Sequence, residues 1–173
     1  MKRKQSYNRT MKQTVYIESS IPSYLTARPS RDIRAAAWQQ LTNQWWVEAR
    51  PHYELFTSEL VLAEVSRGDQ DASERRMQAL LNIPILAADT ECQDLAEMFI
   101  ADGGMPDSAK ADALHVAIST IHGMNYLLTW NCRHIDNAER KPLLRSICEK
   151  CGYTCPEICT PLELLSEDAD NVS

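Results

Sequence analysis

The sequence lacks any long apolar run: no stretch approaches the roughly 18 apolar residues that a membrane-spanning helix needs. No apolar segment follows the basic residues near the N-terminus, so we expect no export signal. Internal repeats and low-complexity linkers are also missing, and glycine is scarce, with five residues in 173. These features are typical of one soluble globular domain, and we expect a cytoplasmic protein.

The familiar motifs of covalent and nucleotide chemistry are missing as well. The chain contains no G-x-S-x-G, no P-loop and no H-E-x-x-H sequence. A mechanism based on any of these motifs is therefore not indicated.

Charge is unevenly distributed along the chain. The formal net charge is −6, yet residues 1–13 carry five Lys or Arg and no acid. We interpret 1–13 as a basic extension, either disordered or a nucleic-acid-binding arm, and 166–173 as an acidic tail flanking a domain over 14–165. The acidic domain argues against broad electrostatic capture of nucleic acid, but not against a nuclease whose site binds cations.

Six cysteines without an export signal favour a reducing compartment. Four of them cluster late in the chain, as Cys148, Cys151, Cys155 and Cys159. The spacing C-x2-C-x3-C-x3-C superficially suggests zinc, although structural zinc sites usually pair two ligand clusters across a longer loop. Packing as small apolar side chains is the alternative that we favour.

Short β-branched or aromatic segments alternate with longer helical patterns. The predicted strands are 14–17, 53–58, 83–87, 125–130 and 157–161. The predicted helices are 31–48, 58–65, 71–81, 90–101, 106–121 and 138–150. This alternation predicts an α/β fold with a parallel sheet that helices cover on both faces.

Four polar residues lie where a parallel α/β sheet places its functional site, beyond the carboxyl ends of the strands. Glu18 directly follows the first strand, and Asn131 follows the fourth. Glu64 lies on the helix that begins at the tip of the second strand, and Asp112 lies in a strongly apolar helix. Such oxygen ligands suit Mg²⁺ or Mn²⁺, which can assist hydrolysis of a phosphodiester. Composition and spacing alone predict an α/β domain with an acidic cluster.

At these residues the sequence resembles the PIN domain family, in particular the VapC-type ribonuclease toxins of toxin–antitoxin modules. The resemblance covers about residues 14–165 and follows the family's order of motifs. It is carried by "VYIESSIPSYL", "TSELVLAEV", "KADALHVAIS", "YLLTWN" and "ICTPLELL".

The resemblance implies a three-layer α/β/α fold with a central parallel sheet. It also implies Mg²⁺- or Mn²⁺-dependent cleavage of RNA, a homodimer, and restraint by a small antitoxin. On this basis Glu18, Glu64 and Asp112 match the acidic metal-binding positions, and Asn131 matches the fourth catalytic position.

The sequence departs from the family pattern at two of these positions. Glu18 stands where Asp is usual, and its carboxylate sits about 1.5 Å further from the backbone. Asn131 removes one negative charge, although its amide oxygen can still accept a hydrogen bond or coordinate weakly. We therefore expect one functional metal ion, or weak metal binding.

Polar neighbours are expected to support these residues. Ser19, Ser20 and Thr129 can donate hydrogen bonds to the carboxylates. Arg133 and His134, in the loop after Asn131, are candidates for contact with RNA phosphate.

For several other polar and aromatic residues, the sequence is consistent with a structural role as well as with a functional one. Asp107 is expected to cap its helix, and Asp136 is a weaker candidate to replace the missing acid. His115 is assigned mainly to packing or to a subunit contact, with a site role as the weaker alternative. The tryptophans are assigned to packing of the second helix or to a dimer surface; they are Trp38, Trp45 and Trp46.

Three hypotheses follow from the sequence. The leading one is a metal-dependent ribonuclease, in the role of a toxin. The two departures motivate a second, a catalytically degenerate PIN domain that binds RNA or protein. The third and weakest is a zinc protein built on the late cysteines.

Overall fold

The computed structural model describes residues 11–165. The basic extension predicted over 1–13 lies mostly outside the described residues, and the acidic tail predicted over 166–173 lies wholly outside them.

A sheet of five parallel strands forms the centre of the domain, in the order β3-β2-β1-β4-β5. The strands are β1 (Thr14–Ile17), β2 (Glu54–Ser58), β3 (Ile85–Leu86), β4 (Tyr126–Leu128) and β5 (Glu157–Cys159). All five predicted strands are present, and all of them except β1 are shorter than predicted. β1 is central, and three of its four side chains are fully buried, as expected for a strand that is covered on both faces.

Within residues 11–165, seven α-helices cover the sheet. They are α1 (Ser20–Thr26), α2 (Ile33–Gln44), α3 (Glu59–Val65), α4 (Gln70–Ala79), α5 (Thr90–Ala101), α6 (Lys110–Ile121) and α7 (Lys141–Lys150). A π-helical turn, Trp45–Ala49, and a 3₁₀ turn, Arg50–His52, extend α2, and further 3₁₀ turns are Asp107–Ala109 and Pro161–Leu164. The predicted three-layer α/β/α fold is confirmed. Between residues 11 and 165, no helix has the length and apolar character that crossing a membrane requires.

The sequence pattern missed helix α1. The stretch "SSIPSYL" contains three serines and a proline, which favour a turn. Pro22 is nevertheless the third residue of α1, and a backbone N–H in the first turn has no partner within the helix, so proline is tolerated there. Ile21 is fully buried and attaches α1 to the core.

The sequence places Ile33, Ala37, Leu41 and Trp45 at spacings of four, which predicts one apolar stripe along α2, and this prediction was partly wrong. Ile33 is 87% exposed and Ala37 is also exposed, whereas Trp45 is fully buried. A spacing of four residues overshoots one helical turn by about 40°, so three such steps move around most of one face. The buried side of this segment instead runs through Thr42, Trp45 and Ala49.

The sequence predicts Ser58, Asp71 and Asp107 as helix caps, and two of these three predictions were wrong. Ser58 caps α3 as expected, because its Oγ accepts a hydrogen bond from Val61 N at 3.2 Å. The cap of α4 is Asp69 rather than Asp71. Asp107 is exposed in the 3₁₀ turn before α6, and it makes no capping hydrogen bond.

The tryptophans are distributed between the core and its edge. Trp45 lies in the core, with Trp46 tilted against it at 6.2 Å between ring centroids. Trp38 stacks on Trp130 with 5.1 Å between centroids, which attaches α2 to the end of β4.

The late cysteines do not gather into one site. Cys148 and Cys159 are buried in the core, and the Cys151 Sγ lies 3.7 Å from the Met98 Sδ. Among residues 11–165, the one group of three or more potential metal ligands contains no cysteine. The thiols of the described structure therefore favour packing over a zinc site.

Candidate functional site

The carboxyl edge of the sheet brings the predicted site residues together. Glu18 follows β1, and Thr129 and Asn131 follow β4, the strand paired with β1. Helix α3, which begins at the end of β2, carries Glu64, while α6 contributes Asp112. Because parallel strands all end at the same edge, residues far apart in the chain converge there.

Glu18 lies at the bottom of the site, only 4% exposed. Its backbone N–H donates to Leu128 O at 3.2 Å, so it continues the pairing of β1 with β4. Its Oε1 accepts from Ser19 Oγ at 2.7 Å, and its Oε2 accepts from Ser20 N at 3.1 Å, Ser20 Oγ at 2.5 Å and Thr129 Oγ1 at 2.8 Å. These four donors compensate the loss of solvation of the buried carboxylate.

Two of these hydroxyls also connect Glu18 to the backbone after β4. Ser20 Oγ accepts from Trp130 N at 2.8 Å, and Thr129 Oγ1 accepts from Asn131 N at 2.9 Å. Each hydroxyl thus donates to the carboxylate and accepts from an amide. The start of α1 and the end of β4 are held around Glu18 as one hydrogen-bonded unit.

Glu64 forms an ion pair with His115, whose Nε2 lies 3.0 Å from Glu64 Oε2. Burial favours the neutral form of Glu64, but the hydrogen bond and charge of His115 outweigh it and lower the pKa of Glu64. Burial likewise opposes protonation of His115, but its hydrogen bond to Glu64 and the charge of the surrounding carboxylates raise its pKa. His115 is 1% exposed, and the Glu64 side chain is 22% exposed.

Sequence reasoning underestimated His115, which it assigned mainly to packing. The structure places this residue inside the site, with Tyr16 Oη 2.8 Å from its Nδ1. Tyr16 Oη in turn lies 2.7 Å from Ser58 Oγ. The signal was present in the sequence, since a histidine three residues after Asp112 on one helix lies close to the same face.

A hydrogen bond from Asn131 fixes the position of the Asp112 carboxylate. Asn131 Nδ2 donates to Asp112 Oδ1 at 3.0 Å, and Asn131 Oδ1 accepts from His134 N at 3.1 Å. This pair of contacts determines the orientation of the amide, because an amide N–H must meet an acceptor and a carboxylate must meet a donor. The nitrogen of Asn131 therefore faces the acid, and its oxygen faces the loop. Burial raises the pKa of Asp112, and the hydrogen bond from Asn131 counters this only in part.

The loop after Asn131 carries the other predicted polar residues. Arg133 is exposed, and His134 is half-buried, with its backbone bound to Asn131. The carboxylate of Asp136 pairs with Lys141 Nζ at 2.6 Å. Asp136 therefore does not replace the missing acid at Asn131.

The donor atoms at this edge fit a divalent cation. One potential ligand atom from each of Glu18, Glu64 and His115 lies within 4.8 Å of the others. Carboxylates are the ligand type that Mg²⁺ and Mn²⁺ prefer, and water can complete the coordination from the side of Glu64, which is partly exposed. Asp112 lies outside this group of three, next to it through Asn131. That Glu18, Glu64 and Asp112 are the metal ligands stays a prediction.

Comparison with known proteins supports the fold. No protein-family model and no curated protein matches the chain. The solved structure of VapC20 from Mycobacterium tuberculosis, a sarcin–ricin-loop-cleaving toxin, is similar, with a TM-score of 0.56 and 14% identity, covering 72% of this chain and 95% of that one. VapBC2 from Rickettsia felis, bound to a DNA fragment from its promoter, is similar with a TM-score of 0.52 and 13% identity, covering 86% of this chain and 98% of that one. This chain therefore has the VapC-like PIN fold.

Proposed function

We propose that this chain is a Mg²⁺- or Mn²⁺-dependent endoribonuclease that acts as the toxin of a toxin–antitoxin pair. The observation that carries this proposal is the convergence of Glu18, Glu64 and His115 within 4.8 Å at the carboxyl edge of a VapC-like sheet. The similar VapC20 is a toxin that cleaves the sarcin–ricin loop, an RNA target, which supports RNA as the substrate class.

The side chains of the site have different roles in this proposal. Glu18 and Glu64 present carboxylate oxygens to a cation, and Ser19, Ser20 and Thr129 keep Glu18 in place. When bound, the cation supplies activation of water for in-line attack and neutralises charge on the phosphodiester.

The remaining predicted site residues complete the edge that faces the substrate. Asp112 adds negative charge next to the cation, in a position maintained by Asn131. Arg133 and His134, in the loop after Asn131, are our candidates for contact with the phosphates of RNA.

Partners follow from the same comparison. VapBC2 is a toxin–antitoxin complex, and this likeness supports a small antitoxin for this chain. We also propose a homodimer in the cytoplasm. Light scattering on the purified protein measures the oligomer, and a mass equal to one chain at micromolar concentration would exclude the dimer.

Cleavage of RNA by the purified protein tests the main proposal. We expect cleavage of a panel of single-stranded and stem-loop RNAs with Mg²⁺ or Mn²⁺, and none in chelator. Asp112→Asn should abolish it, while Asp107→Asn, the same change on an exposed acid near the start of α6, should not. A contaminating nuclease would leave the two variants equally active. Absence of cleavage over the whole panel would overturn the proposal.

A second candidate is a catalytically degenerate PIN domain that binds RNA or protein. It is favoured by the hydrogen bonds of the site, since three donors already occupy Glu18 Oε2 and Asn131 supplies an amide in place of an acid. RNA binding that survives both Glu64→Gln and Asp112→Asn, without cleavage by the wild type, would support this alternative.

A further inference from the structure

A continuous series of hydrogen bonds runs from the cap of α3 to Glu64 on the same helix. Val61 N donates to Ser58 Oγ at 3.2 Å, and Ser58 Oγ lies 2.7 Å from Tyr16 Oη. Tyr16 Oη lies 2.8 Å from His115 Nδ1, and His115 Nε2 lies 3.0 Å from Glu64 Oε2. Ser58 and Tyr16 are fully buried, and the His115 ring is 1% exposed. The series joins β1, α3 and α6 behind the site.

The positions of the protons follow from the two ends of the series. An ionised carboxylate can only accept, so His115 Nε2 carries the proton that faces Glu64. Above the pH at which the ring loses its second proton, Nδ1 is an acceptor, so Tyr16 donates to it. Tyr16 Oη accepts in turn from Ser58, whose Oγ accepts from Val61 N. Every donor and every acceptor in this arrangement has a partner.

The rival arrangement makes His115 Nε2 a ligand of the cation. The distance of 3.0 Å between His115 Nε2 and Glu64 Oε2 does not distinguish the two arrangements. Neighbouring ligands of an octahedral cation with bonds of about 2.1 Å are also about 3 Å apart. In the rival arrangement Nδ1 donates to Tyr16, and Tyr16 donates to Ser58. The Ser58 hydroxyl proton is then left without an acceptor among residues 11–165, because Ser58 Oγ contacts only Tyr16 Oη and Val61 N there. A buried donor without a partner is unfavourable, so the hydroxyls select the first arrangement.

We propose that His115 is a positioning residue, which holds Glu64 through an Nε2–H donor and is not itself a ligand of the cation. Tyr16 and Ser58 set the tautomer of the ring, and the ring sets the orientation of the Glu64 carboxylate. This inference deepens the proposed function and rests on it, since it assigns the cation to oxygen ligands. A carboxylate held by a buried partner loses less freedom when a cation binds.

Nitrogen NMR of protein labelled at histidine tests the tautomer directly. The chain has four histidines, and His115→Gln assigns the signal of His115. We expect a proton on Nε2 both before and after saturation with Mg²⁺, which is diamagnetic. A neutral ring protonated only on Nδ1, or loss of the Nε2 proton on addition of Mg²⁺, would overturn the proposal.

Calorimetric titration with Mn²⁺ tests the positioning role. We expect His115→Leu to weaken binding by about 10–100-fold, the usual effect of losing an outer partner of a ligand. His115→Gln keeps an N–H donor of similar reach and should recover most of this loss, while Tyr16→Phe should cause a smaller weakening. Tyr126→Phe is the matched control, because it removes a hydroxyl that bonds Gln13 on the opposite edge of the sheet. If all variants bound Mn²⁺ with equal affinity while their melting temperatures fell, His115 would have only a structural role.

These measurements separate the inference from the proposed function, because neither requires cleavage of RNA. If the variants bind Mn²⁺ in the expected order of affinity but the wild type cleaves no RNA, only the proposed nuclease function is overturned. Cleavage together with an Nδ1–H tautomer overturns the positioning role alone. A wild-type protein that binds no divalent cation overturns both.

Discussion

Asn131 donates a hydrogen bond to Asp112 at 3.0 Å, at the position where the VapC-type pattern usually has another acid. The amide thus secures one carboxylate instead of adding a second. Two carboxylates at this separation would repel each other strongly in a partly buried site, unless a cation or a proton lay between them.

Asn131→Asp should therefore make the stability of the protein depend on cations. Without a cation we expect a loss of about 1–2 kcal/mol in the free energy of unfolding, because the new charge faces Asp112 and replaces a donor. Mn²⁺ should restore this loss. Urea unfolding with and without Mn²⁺ measures the effect, and Asn137→Asp is the control, since it adds the same charge in the same loop. A variant as stable as the wild type in chelator would contradict this interpretation.

Asp112→Asn should abolish cleavage without destabilising the protein. The pKa of Asp112 is raised by burial, so its ionised form at neutral pH is less favourable in the folded than in the unfolded chain. A neutral amide removes that penalty and still has an oxygen to accept the hydrogen bond from Asn131. We expect an equal or higher melting temperature at pH 7 in chelator, by differential scanning fluorimetry. A clear fall in melting temperature would show that the charge of Asp112 supports the fold.

Thr129→Val should destabilise the protein by about 1–3 kcal/mol, because it leaves Asn131 N without its acceptor and removes one donor to Glu18. Thr57→Val is a close control. Both threonines are fully buried, Thr57 on β2 and Thr129 at the end of β4, but Thr57 Oγ1 has no hydrogen-bond partner among the described residues. Thr57→Val should therefore leave the free energy of unfolding unchanged or increase it. Chemical unfolding compares the two variants, and equal losses would contradict the role given to Thr129.

Glu18→Asp, although it restores the usual residue, should weaken the site. The carboxylate withdraws by about 1.5 Å and cannot keep all four hydrogen bonds to Ser19, Ser20 and Thr129. We expect a loss of about 1–3 kcal/mol in stability and a lower affinity for Mn²⁺. Unfolding and calorimetry measure these quantities. If Glu18→Asp bound Mn²⁺ more tightly than the wild type, the surrounding hydroxyls would not be adapted to glutamate.

The His115–Glu64 pair should stabilise the cation-free protein most at mildly acidic pH. The pKa of His115 is raised above its usual 6.5, so its contribution is complete below 6.5 and is lost as the pH rises through the raised value. The pKa of Glu64 is lowered below 4.5, so its contribution is present above 4.5 and is lost as the pH falls through the lowered value. The stabilisation by the pair is therefore largest between pH 4.5 and pH 6.5.

Urea midpoints of wild type and His115→Gln, measured in chelator across this range and up to about pH 9, test the pH dependence. The difference between the two proteins should be largest at mildly acidic pH and should shrink at alkaline pH. A difference that is constant with pH would mean that the ring is not protonated in the folded protein.

Much of the fold could be predicted from the sequence, because hydrophobic pattern and local propensity act over a few residues. The alternation of strands and helices indicated the parallel sheet, and Ser58 signalled the start of α3. Helix α1 was missed because its local residues favour a turn, while burial of Ile21 against the core outweighs that preference. Local patterns fail where long-range packing supplies the larger free energy.

The candidate site shows the same division. The sequence by itself determined which residues follow the strands, and the topology of a parallel sheet then requires Glu18 and Asn131 to lie at one edge. Only the tertiary structure decided that Asn131 turns its nitrogen to Asp112, that His115 and Tyr16 lie behind Glu64, and that the Thr129 hydroxyl donates to Glu18. These contacts join residues that are 19 to 111 positions apart in the chain. The direction of a hydrogen bond depends on atomic positions that no local pattern encodes.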